Sequence, residues 1–237
     1  MSPFLLATAL AMMAQQAAPP RIQHLAYSLP DGTSMLYALS VPRGDTEGRP
    51  RPLILALHPG GERSPYRGSV FMRGVVAPAL NSLGAIMVAP DCPTRSWSDP
   101  AAEQAVLALL DQIMAEHPVD RQRILVTGFS LGGAGTWFMS SRHADLFSAA
   151  IPIAGRIADP TLERLGAIPT YIIHSRQDEI VPFEPAERAA RELEGMGRPV
   201  KFEALTGPGH FQMGGYVEAL KRAGAWVVDK WAERSAR

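Results

Sequence analysis

The sequence predicts a single α/β domain with a mostly parallel sheet of about eight strands and helices on both faces. From residue 22 onward, short apolar runs alternate with segments of helical periodicity, which is typical of a parallel sheet. A hairpin pattern precedes this alternation, so we expect the first two strands to be antiparallel. The length of 237 residues suits one such domain and leaves little room for a second.

The predicted strands follow from turn signals and apolar runs. Asp31-Gly32 separates the first two strands as a hairpin turn. The later strands are short apolar runs, which is typical of strands that are buried on both faces. The predicted strands span residues 24–29, 35–41, 53–57, 85–89, 124–127, 149–153, 170–173 and 200–205.

The segments between the strands show helical spacing and recognisable ends. Asp99 followed by Pro100 is an N-cap signal, and the apolar residues after it recur at helical intervals. The spacer 155–168 has room for one short helix, so we expect a minimal lid or none. The predicted helices span residues 70–83, 100–117, a stretch that begins after Ser130, 186–196 and 217–231.

The composition argues against several classes of function. Lys+Arg and Asp+Glu are balanced at 23 each, so no basic excess indicates nucleic acid or an anionic membrane surface as a partner. Cys92 is the single cysteine, so no disulfide can form within the chain. No spacing of Cys, His or Asp resembles a metal site, and no phosphate-binding or dinucleotide-binding motif is present. We therefore predict no cofactor and no metal.

Residues 1–20 differ from the rest of the chain. They carry no charged side chain up to residue 18, and their apolar run is too short to span a bilayer. We interpret them as an export signal or a disordered extension, with the catalytic domain at 21–237. The export signal predicts a periplasmic or secreted protein, and the alternative is a cytoplasmic one. We predict no membrane span, and the oligomeric state stays open.

The strongest motif is Gly128-Phe129-Ser130-Leu131-Gly132, between a predicted strand and a predicted helix. A serine on such a sharp turn exposes its hydroxyl above the sheet, and glycines flank it because side chains there would collide with neighbouring backbone. The helix that follows directs free N–H groups at the site. We predict Ser130 as a nucleophile.

A serine nucleophile requires a base, and the base requires an acid that orients it. In a strand–turn–helix arrangement of this kind, the acid and then the histidine should follow the serine in the chain. His210 lies in the glycine-rich sequence Gly-Pro-Gly-His-Phe after the last predicted strand, in a loop that we expect to be mobile. We predict His210 as the base, and we expect His174 to have a structural role at a strand end.

Asp178 is the predicted acid because it follows the strand 170–173 after a short loop. From there its carboxylate can reach the loop that carries His210. Glu179 is the main alternative, although we expect it to face solvent. Asp159 is a weaker alternative, on the loop after the preceding strand.

Stabilising an oxyanion requires two preorganised N–H donors. The first predicted donor is the backbone N–H of Leu131. The second belongs to Gly60 or Gly61, in the His-Pro-Gly-Gly loop after the strand 53–57. Glycine lets that backbone approach a substrate closely. We expect His58 to brace this loop by hydrogen bonding.

These motifs together resemble a known family. HPGG, GFSLGG, HSRQDEIVP and GPGHF are similar to sequences of α/β-hydrolases in the dienelactone hydrolase and prolyl-oligopeptidase-like esterase group. The stretch 124–155 resembles small secreted esterases of the polyhydroxybutyrate depolymerase and feruloyl-esterase type. The sequence departs from the pattern at HPGG, where many relatives have HG-G, and at Ser175, where glycine is common.

The motifs and the resemblance imply a lidless α/β-hydrolase that cleaves carboxylic esters through an acyl-enzyme. The expected substrate is a small-molecule or polymer-attached ester. Trp97, on the loop after strand 85–89, is a candidate for lining the substrate pocket, with core packing as the alternative. An exopeptidase or amidase could use the same triad, and a binding protein on an inactive scaffold is a third possibility.

Overall fold

Eight strands form one open sheet in the order β1-β2-β4-β3-β5-β6-β7-β8. The computed structural model describes residues 21–29, 31–42, 48–158 and 161–236. The predicted α/β-hydrolase fold with eight strands is confirmed. The strands are β1 (Ile22–Ser28), β2 (Ser34–Ser40), β3 (Arg51–Leu57), β4 (Ile86–Pro90), β5 (Val119–Phe129), β6 (Ala149–Ile153), β7 (Thr170–Ser175) and β8 (Val200–Leu205).

The sheet is parallel from β4 to β8 and antiparallel at its other edge. β1 and β2 form the predicted hairpin, and β2 then pairs antiparallel with β4. The chain enters the parallel part at β3, passes to β4 on one side and returns to β5 on the other. The connections that leave β3 and β5 therefore run to opposite sides, which opens a crevice at the carboxyl ends of these two strands. α/β proteins commonly bind ligands in such a crevice.

Among the described residues, seven α-helices connect and flank the strands, and π- and 3₁₀-helical turns adjoin α1, α2 and α7. The predicted N-cap is present, since the Asp99 side chain accepts a hydrogen bond from the N–H of Ala101. The helices are α1 (Arg67–Phe71), α2 (Ala77–Leu80), α3 (Pro100–Glu116), α4 (Leu131–Arg142), α5 (Thr161–Arg164), α6 (Phe183–Gly195) and α7 (Val217–Ser235).

Alternate residues of the central strands build two cores on opposite faces of the sheet. On β3, Ile54 faces the same core as α1, α2 and α7, whereas Leu55 faces the core of α3 and α4. A smaller cluster packs Trp137 of α4 and Ile172 of β7 against α6. This two-sided burial explains why the strands consist of almost unbroken apolar runs.

The helix predicted at 70–83 begins earlier and is not uniform. α1 and α2 are joined by a π-helical turn, Met72–Val76, in which the N–H of Ala77 reaches the carbonyl of Met72. Pro78 follows directly and has no N–H to donate to the carbonyl four residues before it. The wider turn adjusts the helix to this missing donor.

Two further segments can be compared with the sequence prediction: the start of β5 and the spacer 155–168. β5 begins at Val119 rather than at residue 124, because Arg51 pairs with Val119 across a register shift in β3. After Val119, residues 120–123 are polar and partly or fully exposed, so they carry no apolar signal. In the spacer predicted to hold one short helix, α5 packs beside α4 and α6 rather than forming a lid.

No helix in the described ranges is long and apolar enough to cross a membrane. The predicted export signal at 1–20 lies outside the described residues and stays a prediction.

Replacing Gly132 with alanine should destabilise the protein strongly. A Cβ there would lie 1.8 Å from the carbonyl oxygen of Leu57, which is backbone and cannot rotate away. We expect Gly132→Ala to lower the free energy of unfolding by about 3 kcal/mol or more, measured by urea denaturation. Gly74→Ala is the matched control: its Cβ would meet nothing within 4 Å, so we expect about 0.5–1 kcal/mol of stabilisation. Equal effects of the two substitutions would contradict this account.

Candidate active site

Ser130 lies on a strained turn between β5 and α4. Its φ of 55° and ψ of −112° fall outside the regions that L-residues ordinarily adopt. The turn is tight because Gly128 and Gly132 touch neighbouring backbone. A Cβ on Gly128 would lie 2.3 Å from the carbonyl oxygen of Gly132. The sequence therefore needs glycine on both sides of the serine, and the strain holds the hydroxyl clear of the sheet.

Ser130, His210 and Asp178 form one hydrogen-bonded chain. The Nε2 atom of His210 lies 2.8 Å from Oγ of Ser130, and its Nδ1 atom lies 2.8 Å from Oδ2 of Asp178. An ionised carboxylate accepts hydrogen bonds and cannot donate one. The ring proton of His210 is therefore on Nδ1, and Nε2 accepts a hydrogen bond from the serine hydroxyl. The structure thus brings together three side chains that the sequence separates by up to 80 residues.

Asp178 is fixed in a position from which it can orient the imidazole. Its side chain is fully buried. The Oδ1 atom accepts hydrogen bonds from the backbone N–H groups of Ile180 at 3.0 Å and Val181 at 2.7 Å. This leaves Oδ2 for His210. The short turn after β7 therefore supplies both the carboxylate and the amides that hold it.

The alternative acids occupy other positions. Oε2 of Glu179 accepts from the backbone N–H of His210 at 3.0 Å and holds the main chain rather than the ring. Asp159 lies outside the described residues. His174, the alternative base, is buried and donates its Nε2–H to the carbonyl of Val181 at 2.9 Å. It therefore braces the turn that presents Asp178, as expected of a strand-terminal histidine.

The loop that carries His210 is held in place, in contrast to the mobile loop that its glycines predict. Two side-chain oxygens accept hydrogen bonds from its backbone: Oε1 of Gln177 accepts from the N–H of Gly207 at 2.8 Å, and Oε1 of Gln212 accepts from the N–H of Gly209 at 3.0 Å. A Cβ on Gly209 would lie 2.8 Å from Oε2 of Glu179, so the absence of a side chain lets this carboxylate reach the loop backbone. Gly207 has a φ of 121°, a conformation that favours glycine.

The loop after β3 is braced by His58, as the sequence predicts. Its Nε2 atom accepts from the backbone N–H of Cys92 at 3.0 Å, so the ring proton resides on Nδ1 and is donated to the carbonyl of Pro59 at 2.7 Å. Burial lowers the pKa of His58 below its ordinary value, which favours this neutral form.

Arg67 is a site residue that the sequence analysis missed. Its guanidinium donates to the carbonyl oxygens of Gly60 at 2.7 Å, Pro59 at 3.2 Å and Glu62 at 2.5 Å. An arginine six residues after Gly61 gives no signal of this contact, because the contact depends on where α1 begins. Asp91 sets that start by accepting from the backbone N–H groups of Tyr66 and Gly68.

The carbonyl contacts of Arg67 also orient the predicted oxyanion donors. In a trans peptide the N–H points opposite to the C=O, so the N–H groups of Gly60 and Gly61 point away from the guanidinium. Neither of these groups donates to another described residue. A Cβ on Gly60 would lie 3.5 Å from Cβ of Leu131, which places this loop directly beside the start of α4. The N–H of Leu131, at the first helical position, has no acceptor within its own helix.

A cavity of about 600 Å³ opens beside these donors. It lies between the loop after β3, the loop after β4 and the start of β2. Its lining includes Met35, Leu36, Gly60, Gly61, Arg63, Arg95 and Leu131. A cavity of this size suits a small organic ligand or one end of a larger one.

Trp97 does not line this cavity, so its assignment to the substrate pocket is corrected. The residue is 2% exposed and packs in the core of α3 and α4. Its Nε1–H donates to the carbonyl of His58 at 3.0 Å. An indole in the core needs an acceptor for its N–H, and the loop after β3 supplies one. Trp97 therefore holds the start of the loop after β3 from the core side, through the carbonyl of His58.

The described residues contain no group of three or more His, Cys, Asp or Glu side chains placed to hold a metal ion. The arrangement places a serine hydroxyl within hydrogen-bond distance of an imidazole and beside free amide N–H groups, which are the kinds of group that acyl transfer uses.

The buried His174 should make stability depend on pH. Burial lowers the pKa of His174, so the unfolded chain binds a proton at pH values where the native protein does not. The free energy of unfolding should therefore fall as the pH drops below about 6.5, the ordinary value for histidine. In His174→Gln this decline, measured by urea denaturation from pH 7.5 to 5.5, should be shallower. An unchanged slope in the variant would count against this origin of the pH dependence.

Comparison with known proteins finds similarity to several esterases. It is 26% identical over 140 residues to a bifunctional acetylxylan esterase/xylanase of Neocallimastix patriciarum, covering 57% of this chain and 20% of that protein. It is 25% identical over 152 residues to feruloyl esterase C of Emericella nidulans, covering 62% of this chain and 56% of the relative. The matched part of the chain thus spans 20% of the first relative and 56% of the second.

A solved structure matches over most of the chain. A thermostable esterase superposes with a TM-score of 0.77 at 26% identity, covering 88% of this chain and 62% of that one. The family model described as "Dienelactone hydrolase family" matches residues 89–220, which is more than half of the sequence and includes the serine turn, the acid loop and the histidine loop. The chain belongs to the dienelactone hydrolase family.

Proposed function

We propose that the protein is a serine esterase that hydrolyses carboxylic esters through an acyl-enzyme intermediate. The observation that carries this proposal is the hydrogen-bonded chain from Ser130 through His210 to Asp178, next to free backbone amides. A serine hydroxyl is a weak nucleophile at neutral pH unless a base accepts its proton during attack. The 2.8 Å contact from Nε2 to Oγ meets that requirement.

In the acylation half-reaction, Oγ of Ser130 attacks the ester carbonyl carbon while Nε2 of His210 takes the serine proton. The carbonyl oxygen becomes an oxyanion, held by the N–H of Leu131 and a donor from Gly60 or Gly61. The bond to the leaving oxygen then breaks, and the imidazolium returns the proton to that oxygen. An alcohol leaves and an ester to Ser130 remains.

In the deacylation half-reaction, water replaces the alcohol. His210 takes a proton from the water as its oxygen attacks the acyl carbon, and then returns a proton to Oγ of Ser130. A carboxylic acid is released and the free enzyme is restored. Asp178 stabilises the imidazolium in both half-reactions and keeps the ring in one orientation. Neither step requires a cofactor.

The expected substrate is an ester attached to a small molecule or a polymer. The two relatives are named for acetylxylan and feruloyl esters. The cavity beside the oxyanion donors can take an acyl group of that size, and α5 packs beside α4 and α6 rather than forming a lid.

Two other functions would use the same scaffold. An exopeptidase or amidase would cleave a peptide anilide in addition to a p-nitrophenyl ester, whereas we expect the protein to cleave the ester efficiently and the anilide not at all. A non-catalytic binding protein would cleave neither compound. The strained backbone at Ser130 argues against a non-catalytic binding protein. Such strain costs free energy, and a protein without catalytic chemistry has no need for it at a serine.

Replacing Ser130 with alanine tests the proposal directly. Removing a triad member typically costs catalysis about ten-thousandfold or more, so Ser130→Ala should lower kcat/KM on p-nitrophenyl acetate by at least that factor. Ser98→Ala removes an exposed hydroxyl outside the triad and should leave kcat/KM within about twofold. Circular dichroism should show both variants folded. Substantial activity in a folded Ser130→Ala variant would rule out the proposed nucleophile.

Replacing Arg67 tests whether it positions the oxyanion donors. Arg67→Met removes the bonds to the carbonyls of Pro59, Gly60 and Glu62 and lets the loop move. Since losing one donor outright costs about 10²–10³ in kcat, this indirect loss should lower kcat by about tenfold, with KM changing less.

Arg63→Met is the matched control for Arg67→Met. Arg63 lines the same cavity, but its side chain donates to the carbonyl of Thr94 instead of to the glycines. It should leave kcat near the wild-type value. Equal losses of kcat in the two variants would mean that cavity charge, not loop geometry, is responsible.

A further inference from the structure

Two large apolar side chains are exposed on the loops that carry the base and the acid. Phe211, directly after His210, is 77% exposed, and Ile180, two residues after Asp178, is 45% exposed. Phe211 is the most exposed large apolar side chain among the described residues. The others are Val70, Met196 and Val228. A single exposed apolar residue is ordinary, but two beside a reactive centre indicate a contact surface.

Contacts of these two residues and their neighbours hold both positions close to the reacting atoms. The ring centroids of Phe211 and His210 lie 5.7 Å apart, with their planes nearly perpendicular at 85°. The N–H of Ile180 donates to Oδ1 of Asp178 at 3.0 Å. Oε2 of Glu179, the residue between Asp178 and Ile180, accepts from the backbone N–H of His210 at 3.0 Å and ties the two loops together.

The direction of proton transfer decides which part of an ester meets this surface. The imidazolium of His210 must return its proton to the leaving oxygen, which therefore lies within hydrogen-bond distance of Nε2 in the transition state. The first atoms of the alcohol then lie beside the histidine loop. The carbonyl oxygen would point instead toward Leu131 and either Gly60 or Gly61, all of which line the cavity.

We propose that Phe211, together with Ile180, forms the subsite for the alcohol part of the substrate, and that this subsite selects alcohols carrying an aromatic ring or an extended apolar chain. The inference rests on the proposed esterase function and deepens it. An apolar alcohol would cover the exposed ring of Phe211 and gain the free energy of that burial. A methyl or ethyl alcohol is too short to do so. The acyl group would occupy the cavity on the opposite side.

The test compares acetate esters that differ only in the alcohol. We expect Phe211→Ala to lower kcat/KM for benzyl acetate by about tenfold, which corresponds to about 1.4 kcal/mol of lost transition-state stabilisation, and to leave ethyl acetate within about twofold. Phe211→Tyr keeps the ring and should retain the wild-type preference for benzyl acetate. Met196→Ala removes another exposed apolar side chain, on the residue that follows α6, and should change neither ester.

A second measurement separates substrate contact from disturbance of His210. Both esters give the same acetyl-enzyme, from which the alcohol has already left. The rate of its hydrolysis, followed after rapid acetylation with p-nitrophenyl acetate, should be unchanged in Phe211→Ala. A purely structural role would slow this step as well.

The outcomes distinguish this inference from the proposed function. Equal losses for benzyl and ethyl acetate, a slower deacylation, or no loss for benzyl acetate would each overturn the alcohol subsite. If the wild-type protein cleaved no ester at all, the esterase proposal itself would fail.

Discussion

The contact between the first turn of α4 and the end of β3 is the constraint on which the site depends. Gly132 lies so close to the carbonyl of Leu57 that any side chain would overlap it. β3 and β5 are neighbours in the sheet, so their following loops start side by side. The contact between Gly132 and Leu57 then holds the Ser130 turn against the loop after β3. The proposed nucleophile and the candidate oxyanion donors Leu131, Gly60 and Gly61 are thereby brought together without any contribution from His210 or Asp178.

Backbone hydrogen bonds made by side chains then fix each loop around the serine. Arg67 and His58 hold the carbonyls of the loop after β3, and Glu179 holds the backbone at His210. Trp97 supports His58 from the core. Such preorganisation matters because donors that are already aimed need no reorganisation as charge develops on the substrate. The strain at Ser130 persists because its surroundings leave the backbone no other conformation.

The sequence was sufficient for the parts of this design that depend on local chemistry. Apolar runs located the strands, and the glycines around Ser130 identified the turn, since both report burial or close backbone contact directly. It failed for contacts that no sequence motif indicates. Arg67 contacts the glycine loop because Asp91 fixes where α1 begins. Trp97 is buried in the core because the carbonyl of His58 accepts the hydrogen bond of its indole N–H. The polar start of β5 was missed because its exposed residues carry no apolar signal.

The most direct test of the central claim is to locate a covalent adduct. Treatment with a fluorophosphonate, followed by intact-mass measurement and peptide mapping, should show one phosphonyl group per chain, bonded to Ser130. Adduct formation should be far slower in His210→Gln, because the base no longer takes the serine proton. An adduct on another residue, or none on a folded protein, would contradict the claim that these three side chains act together.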